Sequence, residues 1–172
     1  MSKLDLGLIG NSRTSALVNK DARIVWWCYP HFDSNPLCCS LLRSEEKAQA
    51  ADAFGFIDLI FDGSHTVRQH YQRNSAILQT RLQDAAGNVV DVTDFAPRFY
   101  LHGRMFAPAM LVRVIRRVAG RPRIGLRVRP AITTWSPFLG GAGNCAAVKS
   151  SASRITLHAG QRQDGMFLFL FT

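Results

Sequence analysis

Residues 23–39, RIVWWCYPHFDSNPLCC, place two tryptophans, a tyrosine, a phenylalanine, a histidine, an aspartate and three cysteines in seventeen positions. Such a run could be a metal site, an aromatic platform for a sugar ring, or a strand leading into a turn and a short helix. Structural zinc takes four ligands, usually as two close pairs. Here His31 precedes Cys38 by seven residues and no second pair follows, so neither a metal nor a cofactor is expected. Cys28, Cys38, Cys39 and Cys145 read as thiols of a reducing compartment, packed as small hydrophobes. In the period-two alternation of a strand, Trp26 faces the core and Trp27 the opposite side, free to stack on a partner or a sugar.

Glycoside chemistry needs two carboxylates that converge across a bond. The only glutamates, Glu45 and Glu46, are adjacent in a polar stretch and point apart. Asp33, Asp58, Asp62, Asp91 and Asp94 lie on or near expected strands, where Asp91 and Asp94 read as caps of backbone N–H groups. His31, His65, His70, His102 and His158 show neither HxH nor HxxxH spacing, and Ser12 and Ser34 lack a GxSxG setting. Gly7 and Gly10 give a GxxG without the helix a phosphate loop requires. No catalytic residue emerges, and the chain holds no self-sufficient active site.

The net charge of +9 comes mainly from arginine: RVIRRVAGRPRIGLRVR, residues 113–129, holds seven arginines and no acid. A basic stripe is the first footprint of phosphate binding. Ile124, Leu126 and Val128, however, alternate with Arg123, Arg127 and Arg129, the pattern of a half-buried strand with a solvated or protein-facing outer side. No specific nucleic-acid partner is expected. No apolar run reaches the roughly 18 residues of a membrane span, and MSKLDLGLIG lacks the apolar core of a signal peptide. The expected location is the cytoplasm.

The elements that must position these residues are strands. Residues 15–18 and 23–28 flank an Asn-Lys-Asp turn. Pro30 and Pro36 bracket another turn, and 37–43 reads as one or two helical turns. Residues 44–52 form a polar loop, and 56–61 an apolar strand closed by Asp62-Gly63. Strand 65–72 precedes a hairpin spanning 75–95, whose turn is DAAGN. Residues 99–108 read as a loop, 110–118 and 123–130 as a hairpin about AGRP, 135–144 as loose, and 146–150, 154–159 and 166–171 as strands. Many short strands at regular spacing argue an all-β antiparallel sandwich or barrel, with 1–172 as one domain.

LGLIGNSRTSALVNKDARIVWWCYPHFDS, residues 6–34, resembles the opening of the bacterial glycoside hydrolase family 15 proteins, the glucoamylase, glucodextranase and trehalase-like group. The matching positions are Ile9-Gly10, Arg13-Thr14, Ala16-Leu17-Val18, Asp21, Ile24, Trp26, Cys28, Pro30 and Phe32-Asp33-Ser34. QRNSAILQTRLQDAAGNVVDVTDFAP and LVRVIRRVAGRPRIGLRVRP resemble later segments of that group in the correct order, so the likeness covers about 6–130. The resemblance implies an antiparallel super-β-sandwich with one short helix, followed by an (α/α)6 barrel that carries the paired catalytic glutamates. This chain matches the sandwich alone, which is expected to be incomplete at its C-terminal end.

The resemblance thus implies a non-catalytic domain that packs on a barrel, in cis or in trans, and shapes its sugar cleft. Asn11, Arg13, Trp27, His31, Phe32 and Asp33 would lie at that cleft or interface, with α-glucan or trehalose contact. Asn11, Val25 and His31 stand where the pattern has Asp, Asp and Arg, and Ala22-Arg23 replaces its Gly-Ser. Rival readings are a free-standing carbohydrate-binding module using Trp27, Tyr29, His31 and Asp33, a piece of an intact hydrolase, and an orphan remnant. MFLFLFT, residues 166–172, has no charge and no proline and is expected to favour self-association.

Overall fold

The structure is a computed structural model that describes residues 5–43, 54–61, 63 and 65–131, and the backbone of strands 136–138, 145–149, 154–161 and 166–171. The described elements are strands plus one turn of 3₁₀ helix. The smaller sheet contains β1 (Gly7–Gly10), β2 (Ser15–Val18), β3 (Ile24–Cys28), β5 (Phe56–Phe61) and β12 (Ile124–Arg129) in that order, with β4 (Pro36–Cys38) also paired to β3. The larger sheet contains β6 (His65–Tyr71), β7 (Leu78–Asp84), β8 (Val89–Phe95) and β11 (Leu111–Ala119) as consecutive neighbours. Its path continues through β16 (Met166–Phe171), β15 (Arg154–Gln161), β14 (Cys145–Lys149) and β13 (Ser136–Phe138). All pairings are antiparallel. β9 (Phe99–Leu101) and β10 (Arg104–Phe106) form a two-stranded ribbon of their own.

The two sheets stack as a sandwich because each has one apolar face. One cluster joins Ile9, Ala16, Val18, Ile24, Trp27 and Ile57 of the smaller sheet to Leu78 and Leu111 of the larger. A second joins Phe61 to Leu82, Val90, Val92 and Ile115. The alternating burial of β8 matches its sequence, VVDVTDF, with Val90, Val92 and Asp94 inward. The hairpin expected over 75–95 is present, with β7 and β8 paired from Leu78↔Asp94 to Gln83↔Val89. Its turn is closed by the Asp84 carboxylate, which accepts from the Asn88 backbone N–H at 2.8 Å.

Polar ties also cross between the sheets. The Tyr71 hydroxyl accepts from Leu8 N–H at 2.6 Å and donates to Leu8 C=O at 3.0 Å. Gln69 Nε2 donates to Asn19 C=O at 3.0 Å. Each satisfies backbone groups where the sheet ends.

Several expectations need correction. Residues 37–43 are not a helix of one or two turns: β4 pairs with β3 through Trp27↔Cys38, and only Ser40–Leu42 turn as a 3₁₀ helix. Residues 99–108 are not a plain loop but carry β9 and β10. The segments 110–118 and 123–130 do not form a hairpin. β11 pairs with β8 and β16, whereas β12 pairs with β5 across the sandwich. The chain changes sheets at Gly120–Arg123, with Arg121 N–H held by Asn88 Oδ1 at 2.8 Å. Part of the stretch read as loose, Ser136–Phe138, is strand β13; the 44–52 loop lies outside the described residues.

Candidate functional site

One end of the sandwich gathers the six residues that the family likeness singled out. The β1–β2 turn (residues 11–14), the turn that follows β3 (residues 29–34) and the connection from β8 to β11 (residues 96–110) meet there. Antiparallel pairing of Gly10 with Ser15 and of Ala16 with Trp27 puts the first two turns at the same sheet end. The Thr14 hydroxyl donates to Cys28 C=O at 3.5 Å.

Asn11 ties the third segment to the first. Its Oδ1 accepts from the backbone N–H groups of Arg13 and Thr14, both at 3.1 Å. Its Nδ2 donates to Pro97 C=O at 2.9 Å and Pro108 C=O at 2.7 Å, across almost a hundred residues of chain. The side chain is 3% exposed, so all four amide bonding positions are used inside the protein. Pro97 and Pro108 are the two feet of the β9–β10 ribbon, and Asn11 holds both. Ser12, at φ 75°, carries the turn around, and its hydroxyl accepts from Arg98 Nη1 at 3.1 Å.

Trp27 is a correction. It is fully buried, its Nε1 donates to Thr14 Oγ1 at 2.9 Å, and its ring meets Tyr29 edge-on at 5.5 Å. It supports this end of the sandwich from inside and is not free to stack on a sugar. The reading assumed strict alternation, but β3 buries Ile24, Val25, Trp27 and Cys28 and leaves Trp26 half-buried. Register shifts between Leu17 and Val18, and between Trp27 and Cys28, break the alternation.

Arg13, His31, Phe32 and Asp33 are exposed at the same end. His31–Ser34 is a tight turn, with Ser34 N–H donating to His31 C=O and His31 N–H to Ser34 Oγ, both at 3.2 Å. The structure thus groups these four around a buried Asn11 and Trp27.

The sequence reading missed the ribbon that rises beside them. In FYLHGRMF, His102 and Gly103 both have positive φ, 49° and 72°, as a two-residue I′ turn requires. That dipeptide between FYL and RMF was the available signal. Phe99 and Phe106 are directly paired across the ribbon, with rings stacked 5.7 Å apart at 15°. At its foot lies a groove of about 570 Å³ lined by Asn11, Ser12, Ile77, Pro97, Arg98 and Phe99, among others.

Several other titratable groups are committed elsewhere. Asp91 and Asp94 do not cap backbone: Asp91 accepts from Arg81 Nε and Nη2 at 2.6 and 2.7 Å, and Asp94 accepts from Arg113 at 2.7 and 2.9 Å. Arg113 and Asp94 are both 1% exposed, so Arg113 departs from the solvated arginine face. Arg113 Nη2 also donates to Ala22 C=O at 2.6 Å, bridging the sheets. Asp58 is shared by Arg23 and Arg127 at 2.8 and 2.7 Å, and this hydrogen bonding pushes the Arg127 guanidinium further up. Burial raises the Cys28 and Cys38 thiols above their ordinary value, so both are poor nucleophiles. Cys145 and the Glu45–Glu46 pair lie outside the residues whose side chains are described. Among the described residues, no three His, Cys, Asp or Glu side chains gather as a metal site, and no helix is long and apolar enough to cross a membrane.

The family described as trehalase-like, N-terminal, matches residues 4–159. A trehalase of Thermoplasma volcanium is 32% identical over 94 residues, covering 53% of this chain and 14% of that protein. The chain therefore spans a small part of the relative's length. No solved structure matches.

Proposed function

The chain belongs to the trehalase-like N-terminal family, and we propose that it is the non-catalytic β-domain of a glycoside hydrolase family 15-type enzyme, packing on an (α/α)6 catalytic barrel. The observation that carries this reading is the family match over most of the chain, joined to three strand carboxylates that are committed to arginine. Asp58, Asp91 and Asp94 each sit in an arginine pair, their oxygens occupied by guanidinium donors. A general acid for glycoside cleavage needs instead a carboxyl free to reach the glycosidic oxygen.

The end of the sandwich bearing Arg13, His31, Phe32 and Asp33 is the side that faces the barrel and borders its sugar cleft. Exposed polar and aromatic groups on turns suit that role, because loops on a rigid sheet can vary without disturbing the core. Trehalose or an α-glucan is the substrate class of the assembled enzyme.

The test uses three proteins: this chain, the Thermoplasma trehalase without its matched segment, and a chimera carrying this chain in that place. Glucose release from trehalose and maltooligosaccharides is measured for each. The chain alone should release none and the chimera should release glucose. Hydrolysis by the chain alone, abolished by one aspartate substitution, would overturn the non-catalytic assignment. An inactive chimera would overturn the assignment to such an enzyme.

A further inference from the structure

The β9–β10 ribbon is exposed on both faces. Phe99, Tyr100, Leu101, Met105 and Phe106 are 46, 75, 48, 39 and 40% exposed, and the ribbon is hydrogen-bonded to neither large sheet. A lone two-stranded hairpin is marginal in water, and a contiguous apolar patch with a polar rim marks an interaction surface. This one is nonetheless built to stand in place. Asn11 fixes both feet from a buried position, and the I′ turn at His102–Gly103 sets its twist.

We propose that this ribbon is a docking arm that inserts into an acid-rimmed apolar recess on the catalytic barrel, an inference that rests on the function proposed above. The charge around the arm selects that occupant. Arg98, His102 and Arg104 surround the aromatic centre, and residues 95–131 contain no acidic residue at all. A second copy of this chain would bring arginine against arginine, since like charges across an interface are unfavourable. A free sugar would satisfy one ring face but leave the other side of the ribbon in water. A protein recess covers both faces, and the Thermoplasma relative has most of its length outside the match. The 570 Å³ groove at the foot, between Ile77 and Phe99, receives the rim of that recess.

Hydroxyl-radical footprinting of the chimera and of the 172-residue chain tests the arm directly. Tyr100, Met105 and Phe106 should label readily in the chain and several-fold less in the chimera. Phe99→Ser, Tyr100→Ser and Phe106→Ser together should lower chimera activity about tenfold or more, as loss of central aromatic anchors does. The same three substitutions should leave the melting temperature of the isolated chain unchanged, because the arm lies outside both core clusters. Equal labelling of the arm in an active chimera would overturn the inference while leaving the proposed function intact. So would equal protection in the chain alone, whether by dimerisation seen in sedimentation or by added maltoheptaose. An inactive chimera would remove the proposed function and the arm's partner together.

Discussion

Asn11→Asp is a nearly isosteric change that reverses the polarity of one buried atom. In the native protein Nδ2 donates to two carbonyl oxygens at 2.9 and 2.7 Å while Oδ1 accepts two N–H groups at 3.1 Å. An ionised aspartate keeps the two accepted bonds and faces the Pro97 and Pro108 carbonyls with an oxygen that cannot donate. Two lost hydrogen bonds at about 1 kcal/mol each, plus about 1–3 kcal/mol for stranding buried acceptors, total roughly 3–5 kcal/mol at neutral pH. Protonation offers a partial escape, because a neutral carboxyl donates one bond. The folded-state pKa of the introduced carboxyl is therefore raised, and between its unfolded value of about 3.9 and that raised value the folded state holds the extra proton. The sign follows: the variant's deficit is smallest in acid and grows as pH rises through that window. Urea unfolding of the native protein, Asn11→Asp and Asn11→Ala at neutral pH and near the ordinary aspartate pKa measures it. At neutral pH the aspartate variant should fall near the alanine variant, and in acid it should recover about half the loss. A neutral-pH deficit below about 0.5 kcal/mol, within the range of ordinary surface substitutions, would refute the reasoning, as would a deficit that deepens on acidification.

Three further outcomes are expected. Arg113→Met should cost about 3–5 kcal/mol by leaving Asp94 charged and buried, whereas Arg113→Met with Asp94→Leu should recover most of it, as measured by thermal unfolding. Asn88→Ala should let the Asp84 carboxyl, held low chiefly by the Asn88 side-chain hydrogen bond, titrate nearer its ordinary value in an NMR pH series; no movement would remove that bond from the account. Duplex DNA binding through Arg116, Arg117 and Arg121, exposed on or just after β11, should be weak and sequence-independent and disappear in moderate salt. A complex that survives physiological salt in a mobility-shift assay would count against it.

The β7–β8 hairpin was legible because local signals agreed: Leu78, Thr80 and Leu82 share one face, and Asp84–Asn88 has turn chemistry with its own side-chain closure. Where a neighbour in space differs from the neighbour in sequence, local signals misled. β11 and β12 look like a hairpin because both read as strands and only AGRP separates them, yet each finds its partner in a different sheet. The Asp94–Arg113 pair joins positions 19 apart, and Asn11 joins positions 86 and 97 away; no short-range pattern encodes either. Trp27 was assigned to the wrong face because bulges on both sides of β3 break its period. The docking arm escaped notice because an apolar ribbon exposed on both faces shows no alternation at all, and only His102–Gly103 betrays its turn. The turn residues Arg13, His31, Phe32 and Asp33 were found through family likeness, and sheet register explains why they share one end.

The most direct measurement is a calorimetric titration of this chain into the Thermoplasma trehalase lacking its matched segment, repeated at several temperatures. A one-to-one complex is expected, with a negative heat-capacity change, the mark of apolar surface buried on binding, together with restored trehalose hydrolysis. No heat of binding at any temperature, or a complex that forms without restoring hydrolysis, would contradict the claim that this β-domain completes a catalytic barrel.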